Sequence, residues 1–169
     1  FHYNKRFFDL SQDVYLVGYF QSERYFDRVK DEIRKEFVLK DQGGAAFNFF
    51  ANKIKSSNSI SIHFRRGDYV TYSGLNKIFG VPSMKYYYDA VNELSIKVKN
   101  PVIYVFSNDI EWVKQNFDIR FPVVYVTDPS LTFYEEMSLM SFCHHNIIAN
   151  SSFSWWAASL GEGRVFSPV

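Results

Sequence analysis

Three short polar runs carry the residue types with which this chain could do chemistry. The first is His63-Phe64-Arg65-Arg66-Gly67-Asp68-Tyr69, where two adjacent guanidinium groups meet a glycine and a carboxylate. The planar fork of arginine suits bidentate contact with phosphate oxygens, and Asp68 is close enough in sequence to hold one arginine and leave the other for a ligand. A purely structural reading competes with this one: strand-end arginines bonded to loop carbonyls and to Asp68. The second run is Asn150-Ser151-Ser152-Phe153-Ser154-Trp155-Trp156, small hydroxyl residues leading into a helix. Free backbone N–H groups and the positive end of a helix dipole make such a start a ready anion site. A plain serine cap followed by core aromatics explains the same residues. In the third run, Ser107-Asn108-Asp109, helix capping accounts for all three side chains. The first two runs together could grip a diphosphate leaving group from two sides without a metal ion. Other chemistries find less support. The sequence has no G-x-x-x-x-G-K-S/T loop, no G-x-G-x-x-G and no H-E-x-x-H. His144 and His145 are adjacent, so their side chains diverge on a regular element, and Cys143 beside them reads as core packing.

These runs need elements to position them. Candidate strands are Ser59–Phe64, Val102–Phe106, Val123–Val126, Asn146–Ala149 and Arg164–Phe166, several of them nearly continuous apolar runs, as expected of parallel strands covered on both faces. Helical periods fall between them. Ser22 can cap a charged segment in which Phe26, Val29, Ile33 and Phe37 share a face, with pairs such as Asp31 and Lys35 on the solvated side. Further helices are expected over Phe47–Lys55, after Ser83 with Tyr87, Val91 and Leu94 facing inward, over Ile110–Phe117, after a Thr132/Glu135 capping box, and from about Ser152 to Gly161. Strand and helix in alternation predict an open α/β sheet with right-handed crossovers. Ligands of such sheets bind beyond the carboxyl ends of the strands, at the switch point in strand order. The polar runs follow strands, where that rule looks for them.

Composition removes several classes of function. Lys and Arg total 19 against 18 Asp and Glu, a net charge of +1, which offers no broad electrostatic footprint for nucleic acid or an anionic bilayer. A single cysteine excludes an internal disulfide framework and a multi-thiolate metal site. No run approaches the ~18 apolar residues of a membrane span. Aromatic residues make up 20% of the chain, including 18 Phe and 12 Tyr, and such rings fill cores before they line clefts. The start on Phe1, without an initiator Met or a signal peptide, and the stop at Ser167-Pro168-Val169 read as a piece of a longer chain.

The same residues carry a family resemblance. His63 to Tyr69 resembles the H-x-R-R-G-D-Y motif of glycosyltransferase family 11, the α-1,2-fucosyltransferases. Gly18-Tyr19-Phe20-Gln21-Ser22-Glu23 resembles its G-Y-[WF]-Q-S-E segment, and Phe106 to Trp112 its F-S-[DN]-D-x-x-W. His145 to Trp156 is similar, almost without change, to its H-N-I-I-A-N-S-[ST]-F-S-W-W. The resemblance implies a Rossmann-like parallel sheet with helices on both faces, the nucleotide-binding half of a GT-B glycosyltransferase. It implies inverting transfer of L-fucose from GDP-fucose to the 2-hydroxyl of a terminal galactoside, with no metal cofactor. It assigns Arg65 to the GDP diphosphate as the catalytic group, His63 and Arg66 to shaping the site, and Asp68 to orienting its loop. Ser151, Ser152 and Phe153 would supply main-chain contacts near the phosphates, and Asn108 and Asp109 lie where guanosine could be read. The family's G-G-L-G-N-Q-M-F segment is absent. Residues 1–58 are therefore expected to be a linker and helical segment leading from a missing N-terminal domain, and 59–169 the GDP-sugar-binding domain, inactive alone. A GDP-binding module without transfer activity and a carbohydrate-binding domain are the alternatives. Partners expected are GDP-fucose and a galactoside glycan, not nucleic acid, in a cytoplasmic setting with peripheral association at the inner membrane face as an option.

Overall fold

A computed structural model describes residues 3–41, 43–72, 74, 77 and 80–168. The chain divides into two compact units, Phe1–Val38 and Leu39–Val169.

In the first unit the helix expected after Ser22 forms only in part. Glu23–Tyr25 and Asp27–Val29 are tight 3₁₀ turns, and a regular helix, α1, covers only Lys30–Glu36. Ser22 makes no side-chain capping bond. The ring of Tyr25 packs against Tyr3, Phe7 and Phe20 at 5.0–5.4 Å, and its hydroxyl accepts from the Asn4 N–H at 2.8 Å. Local aromatic packing thus holds the chain in turns where a continuous helix would have swung Tyr25 away. Lys30 pairs with Glu23 at 2.7 Å, drawing the turns against the start of α1.

The second unit is built on five parallel strands: β1 (Asn58–Phe64), β2 (Pro101–Ser107), β3 (Val123–Tyr125), β4 (His145–Ile147) and β5 (Val165–Phe166). Their order is β3-β2-β1-β4-β5, so the winding reverses between β1 and β4. This is the Rossmann-like arrangement expected from the alternating pattern, and each expected strand is present within a residue or two of its expected ends. Helices are α2 (Ala45–Lys55), α3 (Gly67–Thr71), α4 (Met84–Lys97), α5 (Ile110–Asn116), α6 (Phe133–Ser141) and α7 (Ser152–Leu160).

Two apolar layers cover the sheet, one on each face. Ile60, Ile62, Phe64, Ile103 and Val105 pack with Tyr87, Val91 and Leu94 of α4 and Val113 of α5. Tyr104 and Phe106 point the other way, into a layer with α2, α6 and α7 that includes Phe50, Ile54, Leu139, Met140 and Ala157. Burying a large aliphatic or aromatic side chain contributes about 1.5–3 kcal/mol, so these layers dominate the unit's stability. On β1 the residues alternating with the isoleucines are polar yet buried: Ser59, Ser61 and His63. Partners for the two serines come from β4 and the residue before it, Ser61 donating to the side-chain carbonyl of Asn146 and Ser59 bonding the His144 ring at 2.9 Å. Buried hydroxyls of this kind are tolerated because they find partners within the layer.

Side-chain caps fix the starts of α4 and α6. Ser83 accepts from the Tyr86 N–H, and Thr132 and Glu135 form the expected reciprocal capping box. Cys143 is buried and accounted for by packing, with burial pushing its thiol pKa up. No described helix is long and apolar enough to cross a membrane.

Candidate functional site

Parallel register brings the first two polar runs to one edge of the sheet. Ile62 of β1 pairs with Ile147 of β4, so Arg65 and Asn150 stand at equivalent positions three residues beyond the pairing. Adjacent strands lie about 4.8 Å apart, which makes the two loops neighbours at the switch point. One side-chain contact ties them directly: the buried imidazole of His63 lies against the ring of Phe153, in the first turn of α7, with centroids 5.2 Å apart.

Gly67 shapes the first loop. Its φ is +35°, and a Cβ there would sit 2.3 Å from the side-chain amide nitrogen of Asn108. The carbonyl oxygen of that amide accepts from the Arg66 backbone N–H at 2.9 Å. Asn108 therefore lies flat across the turn, and only glycine leaves room for it.

The two arginines are held differently. Arg66 is the more enclosed, 16% exposed at its side chain. Its Nε donates to Asp109 at 3.2 Å, and its guanidinium lies 3.3 Å over the Trp112 ring. Arg65 is 31% exposed, and its Nη2 donates to Asp68 Oδ2 at 2.9 Å while standing 2.7 Å from Oδ1. The Oδ1 contact is an ion pair without hydrogen-bond alignment, so Oδ1 is buried without a hydrogen-bond partner. Tyr69 lies beneath the same guanidinium at 5.2 Å. Each arginine thus has its own carboxylate, whereas the sequence predicts Asp68 to hold one and leave the other for a ligand.

Asn108 and Asp109 do not cap α5 through their side chains, as the capping reading expected. Asp109 is the N-cap residue but makes no capping bond. Both side chains turn back to Arg66, and the Asp109 N–H is taken by Ser107 Oγ at 3.0 Å. Trp112, the last residue of the motif that begins at Phe106, joins the site as well, one helical turn after Asp109 and beneath the Arg66 guanidinium.

Ser151 is the N-cap of α7 and makes no side-chain capping bond. Its N–H turns back to the Ala149 carbonyl at 2.8 Å. Ser154 donates to the carbonyls of Ala149 and Ser151, each at 3.3 Å, bracing the turn from inside the helix. Electrostatics sharpen the picture at His63. Burial, with the Arg65 charge adding to it, lowers its pKa from 6.5 to about 3, so the ring is neutral, and Nδ1 is buried without a partner.

A cavity of about 310 Å³ lies elsewhere, among Tyr88, Val91, Asn92, Asp118, Ile119, Arg120 and Phe121. Asp118 to Phe121 precede β3, at the amino edge of the sheet, and none of these residues belongs to the polar runs.

A five-stranded parallel sheet whose winding reverses between β1 and β4 places the second unit among the open, doubly wound α/β folds. Comparison with known proteins gives the family. Residues 2–166 match the family described as Glycosyl transferase family 11, and the chain belongs to it. An Alpha-1,2-colitosyltransferase of Escherichia coli is 37% identical over 153 residues, 87% of this chain and 51% of that protein. The O-antigen biosynthesis glycosyltransferase WbnK of Escherichia coli is 36% identical over 86% of this chain and 50% of its own. Galactoside alpha-(1,2)-fucosyltransferase 1 of Bos taurus is 28% identical over 88% of this chain and 44% of its own. The chain therefore spans about half the length of these curated relatives. Among solved structures, POFUT1 in complex with GDP-fucose superposes with a TM-score of 0.51 at 12% identity, over 73% of this chain and 47% of that one. At that identity the likeness speaks for the fold.

Proposed function

We propose that the second unit is the donor-binding half of an inverting glycosyltransferase that moves L-fucose from GDP-fucose to the 2-hydroxyl of a terminal galactoside. The observation that carries this reading is Arg65. It stands on the switch-point loop, fixed to Asp68 through a single nitrogen and a third exposed, beside a loop that opens α7. In the reaction the bond between the sugar's anomeric carbon and the β-phosphate oxygen breaks, and its electron pair leaves with GDP. The acceptor 2-hydroxyl attacks the opposite face of the oxocarbenium-like carbon and releases its proton to solvent, so the products are GDP, the glycoside and one proton. Arg65 and the N–H groups at Ser152 and Phe153 would meet the charge that develops on the diphosphate. Preorganised donors of this kind usually contribute more than any other effect to stabilising a transition state.

Arg66, Asn108, Asp109 and Trp112 serve in this reading as the frame that holds the arginine loop. His63, neutral and packed on Phe153, couples the two loops. The relatives' names support the transfer of a sugar to a 2-hydroxyl, and the Escherichia coli relative at 37% identity favours a second reading in which a colitosyl group is moved. Because the chain spans half of its relatives, binding of GDP without transfer is the activity proposed for these 169 residues by themselves.

Calorimetry with GDP on this chain tests the donor site. An assay with GDP-fucose, the corresponding colitosyl donor and lactose, on a protein of the relatives' full length, tests the transfer. Absence of GDP binding, with retention on a glycan resin, would replace the donor reading with a carbohydrate-binding one.

A further inference from the structure

We infer that Tyr86 and Tyr87, neighbours in the first turns of α4, are positioning residues that set the two loops of the donor site against each other. The inference rests on the donor-site reading for its functional consequence and on geometry for its substance. The Tyr87 hydroxyl donates to the His63 carbonyl at 3.1 Å, two residues before Arg65. Its ring lies against Phe64 at 4.1 Å between centroids, so it touches both residues that lead into the arginines. The Tyr86 hydroxyl stands 2.8 Å from the Ile148 carbonyl and 2.8 Å from that of Phe166. Its single proton is shared between the carbonyl of Phe166, the last residue of β5, and that of Ile148, one residue past β4 and three before Ser151. The rings of Tyr86 and Tyr87 meet edge to face at 5.0 Å.

One helical turn thus reaches the carboxyl ends of strands on both sides of the switch point. Adjacent residues of a helix normally diverge by about 100°, and here the divergence is what lets one turn grip two strands. The Phe166 carbonyl also accepts from the Ile148 N–H at 2.9 Å, so the Tyr86 phenol bonds the β4–β5 pairing where it ends, and a phenol fixed at each strand end limits how the loop can leave the sheet. Displacement of a catalytic group by about 1 Å can lower a rate by as much as a hundredfold, which makes this placement matter for the chemistry.

The test compares Tyr86→Phe and Tyr87→Phe with Tyr104→Phe. The Tyr104 hydroxyl bonds the Lys53 carbonyl at 2.8 Å and Ser57 at 2.9 Å, beside the start of β1, so its loss removes a similar pair of bonds at the opposite sheet edge. All three variants should lose some thermal stability. Only the Tyr86 and Tyr87 variants should speed amide exchange at 64–69 and 149–153, and only they should weaken GDP binding, by about fivefold or more. Equal exchange and unchanged GDP affinity across all three, measured well below their melting temperatures, would overturn the inference. If the unaltered chain binds no GDP, the donor-site reading falls. Exchange then decides alone: faster exchange confined to those two segments upholds the positioning role, and a pattern shared with Tyr104→Phe refutes it.

Discussion

Gly67→Ala probes the arginine loop at its most constrained point. Two penalties can be worked from the structure. An L side chain at φ +35° is strained by about 1–2 kcal/mol, because its Cβ crowds the following carbonyl. The new Cβ would also lie 2.3 Å from the Asn108 amide nitrogen, so that side chain must move and give up its bond to the Arg66 N–H. A lost hydrogen bond of this kind costs about 1 kcal/mol. Together they come to about 2–3 kcal/mol, measurable as a shift of the urea denaturation midpoint. A double-mutant cycle separates the parts. With Asn108→Ala already present the clash vanishes, and Gly67→Ala should cost only the backbone strain of about 1–2 kcal/mol. A Gly67→Ala variant within about 0.5 kcal/mol of the parent, the size of an ordinary surface change, would refute the packing of Asn108 across the turn. So would a cycle in which both backgrounds give the same loss, since the contact would then contribute nothing.

The two arginines should respond oppositely to replacement by lysine. Arg65→Lys should leave the denaturation midpoint nearly unchanged and weaken GDP binding by about 10–100-fold, the worth of a lost charged hydrogen bond; calorimetry reads it, and undiminished affinity would remove Arg65 from the donor site. Arg66→Lys should destabilise the unit by about 1–2 kcal/mol through loss of the Trp112 stack and the Asp109 bond, read by urea denaturation. For His63 the folded pKa of about 3 lies below the unfolded 6.5, so between those values only the unfolded chain takes up the proton. Its contribution to stability is complete above about pH 6.5 and declines as pH falls toward 3, by about 1.4 kcal/mol per pH unit. Burial also lowers the pKa of His145, which acts with the same sign. An NMR titration should find the His63 ring neutral at about pH 5, and a protonated ring there would contradict its burial. Gly163→Ala should be severe, since a Cβ would fall 1.5 Å from the backbone carbonyl of His144. A loss of about 3 kcal/mol or more is expected from overpacking against backbone, seen in denaturation and in faster exchange at β5.

The sheet was readable because its signals are local and redundant. Apolar runs such as Val102–Phe106 and caps such as Ser83 and Thr132 each specify an element without reference to distant residues. The segment after Ser22 was less so, because the pull of Tyr25 toward Tyr3, Phe7 and Phe20 is a tertiary effect that helical spacing does not register. At the site the residues were legible and their pairings were not. Asn108 and Asp109 satisfy every sequence criterion for a helix start, and the backbone does place Asp109 at the N-cap. Their side chains bond Arg66, which is 42 and 43 residues away, and only the adjacency of β1 and β2 brings it there.

That adjacency also separates the roles of the arginines. Arg66 is attached to the loop after β2, through Asn108, Asp109 and Trp112, so moving it would disturb the junction of two central strands. Arg65 is attached through Asp68 and Tyr69, both within its own loop and the short helix it opens. An arriving diphosphate could therefore reorient Arg65 by exchanging one carboxylate contact for a phosphate contact, with no element of the sheet displaced. Two carboxylates also offset the two guanidinium charges, which lets the pair fold side by side before any anion is present. A loop with both arginines unpaired would repel itself, and one with both locked to the sheet would have nothing to offer a ligand. Asymmetric anchoring satisfies both requirements, and it is the physical reason the proposed donor site takes Arg65 rather than its neighbour as the diphosphate contact.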